Sequence, residues 1–207
     1  MKKLLLLSIF VSAAAMGQNP EEPEIIYEGS GKIVLEDGTV QEGTVHHSRV
    51  TQRRISIKAA PEDKYNTYKT KEVKEFFIDE LHFVKVETPG LGVKDPDFAL
   101  LRSQEDAAIK VYEVCWQENL GSGSGGGAVW PTHRQYYVLF PNQSKMKGIG
   151  DLAYTSSKKI AKYVKDCPEL AGKLSSKQSG YAYGMIANDA MKLDVFLKVS
   201  EEYRACQ

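Results

Sequence analysis

The sequence lacks the features that mark several specialised classes of protein. Its 27 Lys and Arg residues balance its 27 Asp and Glu residues, so it has no positive excess of the kind that nucleic-acid-binding proteins carry. Eight prolines and 17 glycines are too few for a collagen-like or proline-rich fibre. After the opening segment, no apolar run approaches the roughly 18 residues that a membrane-spanning helix needs. With 42% hydrophobic and 10% aromatic residues, the composition instead predicts a globular protein.

The opening segment, residues 1–17, is typical of a signal peptide. Lys2 and Lys3 precede a short apolar stretch, and the small residues Ala15 and Gly17 occupy the positions that a signal peptidase requires. The alternative, a buried first helix, is disfavoured because a polar stretch follows at once. We therefore expect export to the periplasm or the extracellular space after cleavage near Gly17, with no membrane span in the mature chain.

The sequence has only three cysteines, which is an odd number. Cys115, Cys167 and Cys206 show no CxxC spacing, so in an oxidising compartment at least one thiol stays free or pairs between chains. A disulfide between Cys167 and Cys206 would close a loop of 40 residues. Three free, buried thiols are the other possibility, since a core of this size needs no covalent support.

The pattern of the chain predicts an α+β fold, with strands first and helices last. After a flexible linker at 18–30, short alternating segments and turn residues over 31–147 indicate an antiparallel β-rich region, either a sandwich or a small open barrel. Asp37-Gly38 predicts a tight type I′ hairpin. From 148 to 207 the apolar residues recur at helical spacing, with a last helix capped by Asn188 or Asp189. We expect this helical region to pack on the same core.

One segment, from Glu118 to Trp130, is rich in Gly and Ser and is predicted to be a flexible surface loop. Its formal GxGxxG match carries no weight, because low complexity guarantees it and no helix pattern follows. Trp116 and Trp130 flank the loop, and they are our candidate ligand-binding residues, as two aromatic walls for a sugar or a peptide. The alternative is that both tryptophans pack on the sheet as hairpin neighbours.

No catalytic or metal-binding pattern is coherent. His46 and His47 are adjacent on a predicted strand, so they point to opposite faces and cannot bind one ion together. Ser156 and Lys159 form an SxxK match, but the companion elements of such acyl-enzymes are absent. We expect no catalytic residues, no metal and no cofactor.

The C-terminal third contains Val138-Leu-Phe-Pro, then Asp166-Cys-Pro-Glu-Leu, and ends with Glu-Glu-Tyr203. In these stretches it resembles a group of exported Bacteroidota proteins, in which a strand-rich N-terminal half precedes a helical end with a D-x-PEL step. The resemblance implies an exported compartment and this layout, and it transfers no activity or site residue.

Two functional hypotheses follow. The first is a non-catalytic binding module of the cell envelope, with a protein or saccharide as its ligand. The alternative is a cell-envelope hydrolase whose catalytic residues converge only in the fold. A concave pocket holding converging polar side chains would favour the hydrolase. A closed, salt-bridged surface beside an exposed tryptophan would favour the binding module.

Overall fold

A computed structural model describes residues 26–48, 54–86, 98–117, 132–154, 157–184 and 187–207. Within these ranges the strands are β1 Ile26–Leu35, β2 Val40–Ser48, β3 Arg54–Lys58, β4 Asn66–Lys69, β5 Val73–Ile78, β6 Leu81–Lys85, β7 Phe98–Leu101, β8 Lys110–Gln117, β9 Thr132–Leu139 and β10 Lys147–Gly148. A 3₁₀ turn covers Thr70–Glu72, and the helices are α1 Ile149–Tyr154, α2 Ser157–Tyr163, α3 Pro168–Ser175 and α4 Asp189–Cys206.

All ten strands belong to one antiparallel sheet with the order β4-β3-β2-β1-β5-β6-β7-β8-β9-β10. Neighbours in the sheet are also neighbours in sequence except at β1, which lies between β2 and β5. The expected α+β fold is confirmed, with strands before helices. The strands form a single open sheet and not a two-sheet sandwich. The reason is that β1 pairs with β2 on one side and with β5 on the other, which joins β2–β4 to β5–β10.

The N-terminal boundary of the fold lies earlier than the sequence predicted. β1 begins at Ile26, so residues 26–30 are strand and the predicted linker at 18–30 is wrong over that part. Tyr27 is buried and Ile26 and Glu28 are exposed. This is the alternation of a half-buried strand, which the glycines at 29 and 31 concealed in the sequence.

The first hairpin also differs from its prediction. Leu35 N donates to Thr39 O at 2.9 Å, and Gly38 N donates to Leu35 O at 3.0 Å, which encloses a three-residue loop. Gly38 has a φ of 87°, whereas Asp37 does not have positive φ. A type I′ turn needs positive φ at both central residues. The prediction was wrong, and Gly38 instead supplies the single left-handed residue of a longer loop.

Cross-strand partners define an inward face of the sheet. Ile33 lies opposite Phe76, Phe76 opposite Phe83, and Phe83 opposite Leu100. These residues belong to a first core that contains no described helical residue, so the N-terminal half of the sheet curves over its own inward face. The core consists of Tyr27, Ile33, Val45, Ile55, Ile57, Val73, Phe76, Ile78, Phe83, Phe98 and Leu100.

The helices cover the same inward face further along, over β8 and β9. This second core is formed by residues of β8 and β9, such as Val111 and Val138, together with Ile160, Leu170 and Phe196 of the helices. The Asn188 side chain accepts a hydrogen bond from Met191 N at 2.9 Å, which confirms the predicted start of α4. The outward face of β6–β10 carries a third, smaller apolar cluster centred on Tyr112, Val114 and Tyr137.

The C-terminal end of α4 is held against the start of α3. A disulfide joins Cys206, at the end of α4, to Cys167, which precedes Pro168 at the start of α3. Beside it, Tyr203 Oη donates to Asp166 Oδ2 at 2.6 Å. Burial, and then this hydrogen bond, raise the pKa of the Tyr203 phenol to about 12.

The raised pKa of the Tyr203 phenol predicts that the protein loses stability at alkaline pH. An unfolded chain releases the Tyr203 proton near pH 10 and the folded protein near pH 12, so the unfolded state binds fewer protons between these values. The free energy of unfolding should therefore fall by up to about 2 kcal/mol as the pH rises from 10 to 12. Urea unfolding at pH 9 and pH 11 measures the effect, and Tyr203→Phe should make the difference smaller. An equally steep fall in the variant would contradict the assignment.

Candidate functional site

A buried carboxylate interrupts the apolar inward face between the first and second cores. Glu113 of β8 lies opposite Leu100 on β7 and opposite Tyr136 on β9, and it is only 4% exposed. A buried, unpaired carboxylate would cost several kcal/mol. Its surroundings must therefore compensate the charge.

Two arginines and a thiol surround Glu113. Arg102 Nη1 lies 3.3 Å from Glu113 Oε2, and Arg134 Nε lies 3.7 Å from Glu113 Oε1. Cys115 Sγ donates to the same Oε1 at 3.5 Å. The Arg102 and Arg134 side chains are 39% and 34% exposed, so the cluster is buried at its carboxylate and open to solvent at its guanidinium groups.

Tyr136 completes this cluster. Burial raises the pKa of its phenol above the ordinary value, and the negative charge of Glu113 raises it further, against opposing effects of Arg134 and Arg102. Tyr136 therefore keeps its proton at neutral pH. The protonated hydroxyl can donate a hydrogen bond.

The open end of the cluster borders a cleft of about 240 Å³ at the start of β9. On the outward side, the rings of Trp116 and His133 are stacked, with centroids 5.2 Å apart and planes 19° apart. They are cross-strand partners on β8 and β9, so the sheet fixes their positions. Arg134 and Tyr136 line the cleft from the inward side, and the remaining lining residues are Gln135, Ile149, Gly150 and Asp189.

A larger hollow of about 530 Å³ is lined by residues of β1, β2 and β5, among them Gly31 and Gly43, and by Asp79. Asp79 Oδ1 accepts a hydrogen bond from Ser30 N at 3.2 Å, so this carboxylate is engaged in holding the β5–β6 turn against β1. The cleft beside Trp116 combines an aromatic wall with charged groups, and it is the candidate site.

The two predicted ligand-binding residues have different outcomes. Trp116 is partly buried against the third cluster, as the packing alternative predicts, and it also lines the cleft. Its role in ligand binding stays a prediction. Trp130 and the Gly/Ser-rich loop lie outside the described residues. Cys115 is buried and is not part of a disulfide, and Cys167 and Cys206 are joined to each other. His46 and His47 point to opposite faces as expected, since His46 contacts Glu28 and His47 is buried among phenylalanines.

Sequence reasoning missed Glu113, Arg134 and Tyr136. A signal was present, because Glu113 lies between Tyr112 and Val114 in a strand that is apolar on both faces. A charge in such a strand must find partners, but the partners depend on strand register, which the sequence alone leaves undetermined.

Chemically, the cluster is suited to binding more than to nucleophilic catalysis. The thiolate is the nucleophilic form of cysteine, and the Cys115 thiol donates its proton to an anionic carboxylate. The nearest imidazole in the cleft, His133, belongs to the outward face, away from Cys115. The guanidinium groups, by contrast, are exposed enough to meet a ligand.

Comparison with protein-family models, with curated proteins and with solved structures found no match to this chain. In the ranges that the structure describes, no three His, Cys, Asp or Glu side chains are arranged to hold a metal ion. None of the described helices is long and apolar enough to cross a membrane.

Proposed function

We propose that the chain is an exported, non-catalytic binding module, and that its ligand is a saccharide bound in the cleft beside Trp116. One observation carries this proposal. The stacked Trp116–His133 pair lines the outward side of a cleft whose inward side is lined by Arg134 and Tyr136. An aromatic face with a few convergent polar groups is typical of small-ligand sites.

Export is supported by two independent features. The opening segment has the composition of a signal peptide. The Cys167–Cys206 disulfide is of a kind that persists in oxidising compartments and is rare in the cytosol. The resemblance to exported Bacteroidota proteins agrees with both.

The volume of the cleft limits the size of the ligand. Its volume of about 240 Å³ is below the roughly 300–1,000 Å³ of pockets that enclose a whole drug-sized molecule. A single ring, or one unit of a longer polymer, fits this space better than a folded protein surface does. A saccharide also offers an apolar ring face to Trp116 and hydroxyl groups to Arg134 and Tyr136.

Affinity gel electrophoresis with four polysaccharides tests the proposal: a neutral mannan, a neutral xylan, a polygalacturonate and an alginate. We expect at least one of them to retard the wild-type protein, and we expect Trp116→Ala to weaken that binding by about tenfold or more, as loss of a central aromatic contact does. Trp116→Phe should keep part of the binding.

The matched control is Tyr65→Ala, which removes an exposed aromatic ring far along the sheet and should leave binding unchanged. Thermal melting of each variant checks that it is folded. Failure of all four polymers to bind would overturn the saccharide proposal, as would equal retardation of wild type and of folded Trp116→Ala. Release of reducing ends from any polymer would instead favour the hydrolase alternative.

A further inference from the structure

The charges around the cleft do not cancel. Arg102 and Arg134 share one buried carboxylate, that of Glu113. Asp189, the acidic residue that lines the cleft, is paired with Lys192 at 3.0 Å. The charge of Asp189 is thus compensated by Lys192, whereas the charge of Arg134 is compensated only in part, because Arg102 shares the same carboxylate.

Arg134 is the cationic group that is placed to bind an anion in the cleft. Its contact with Glu113 is made by Nε at 3.7 Å, which is too long for a hydrogen bond. A guanidinium group has five N–H donors, which is more than the neighbouring Glu113 and Tyr136 oxygens can accept from. The side chain is about one-third exposed and lines the cleft.

The adjacent groups favour a planar anion attached to a ring. Arginine matches a carboxylate by two parallel N–H···O bonds, a geometry that a neutral hydroxyl cannot reproduce. Tyr136 stands beside it with a hydroxyl proton to donate, and the Trp116–His133 pair offers a flat surface across the cleft.

We propose, building on the saccharide-binding function above, that the cleft recognises an acidic sugar, with Arg134 binding the sugar carboxylate while the ring lies against Trp116. The buried carboxylate of Glu113 holds Arg134 in place, so Glu113 is a positioning residue. Arg134 and Tyr136 are the groups that contact the ligand.

A matched pair of ligands measures how much the sugar carboxylate contributes to binding. Isothermal titration calorimetry would compare trigalacturonate with its fully methyl-esterified form, which has the same rings and no negative charge. We expect wild type to bind the acid at least about tenfold more tightly than the ester. In Arg134→Gln, this preference should disappear, and in Arg134→Lys, which still compensates Glu113, it should shrink but remain.

The control variant is Arg54→Gln, since Arg54 is an exposed arginine of β3 far from the cleft, and its preference should match that of wild type. If Arg134→Gln is unfolded by thermal melting, Arg134→Lys decides alone, and an unchanged preference there overturns the assignment to Arg134.

The outcomes separate the two proposals. Equal affinity for acid and ester in wild type would overturn the acidic-sugar inference and leave saccharide binding standing. Absence of binding to both trisaccharides and to all four polysaccharides would overturn the proposed function as well. Binding of inorganic phosphate or an acidic peptide more tightly than trigalacturonate would assign the site to a different anion and overturn the inference.

Discussion

Removing the disulfide between Cys167 and Cys206 is expected to lower the free energy of unfolding by about 4 kcal/mol. The two cysteines lie 39 positions apart, and a cross-link of that span removes this much conformational freedom from the unfolded chain in the chain-entropy model. The loss is large beside the 5–15 kcal/mol that stabilises a typical domain. For a protein of this size, it corresponds to a fall in Tm of about 10 °C.

Urea unfolding of the wild type with and without a phosphine reductant measures this effect, and Cys206→Ser provides the control. The variant should match the reduced wild type and should not respond to the reductant, because its remaining cysteines have no disulfide to lose. Cys206 is exposed, so the substitution opens no cavity in the core. A difference below about 1 kcal/mol between oxidised and reduced wild type would show that the bridge contributes little.

Gly31→Ala is expected to be the most damaging small substitution in the sheet, at about 3 kcal/mol. A Cβ at this position would lie 1.9 Å from Phe77 O and 2.8 Å from Phe77 C, which are backbone atoms of the neighbouring strand. Neither strand can move aside without opening the pairing between β1 and β5. Gly31 also lies opposite Gly43, so β1 and β2 pair at this point without side chains.

The matched control is Gly172→Ala in α3, where an added Cβ meets no atom within 4 Å. Because alanine favours a helix over glycine, this variant should be more stable than wild type by about 0.5–1 kcal/mol. Thermal and urea unfolding of the two variants would give opposite signs. A destabilisation by Gly31→Ala of less than about 1 kcal/mol would contradict the close approach of β1 to β5.

The elements that the sequence predicted well are those fixed by local rules. Strand β3 shows clean alternation over Arg54–Lys58, with Ile55 and Ile57 buried, and the polar pair Asp79-Glu80 forms the turn between β5 and β6. The start of α4 follows from the capping side chain of Asn188. Each of these depends on residues only a few positions apart, so a single segment contains all the information.

What the sequence could not predict depends on pairing between distant segments. The position of β1 between β2 and β5 unites the strands in one sheet, and no residue within β1 specifies its second neighbour. The same is true of the candidate site. Arg102, Glu113 and Arg134 come from three segments, and a shift of one residue in any strand would send a side chain to the other face of the sheet.

The charged residues around Glu113 also separate two apolar cores on the inward face of the sheet. The curled strands on one side and the helix-covered strands on the other bury separate apolar clusters, and between them the inward face carries ions and few apolar contacts. Contiguous regions that share few buried contacts can open one at a time. Loosening of α4 would therefore disturb the second core, to which Ile149 beside the cleft belongs, and would leave the first core intact.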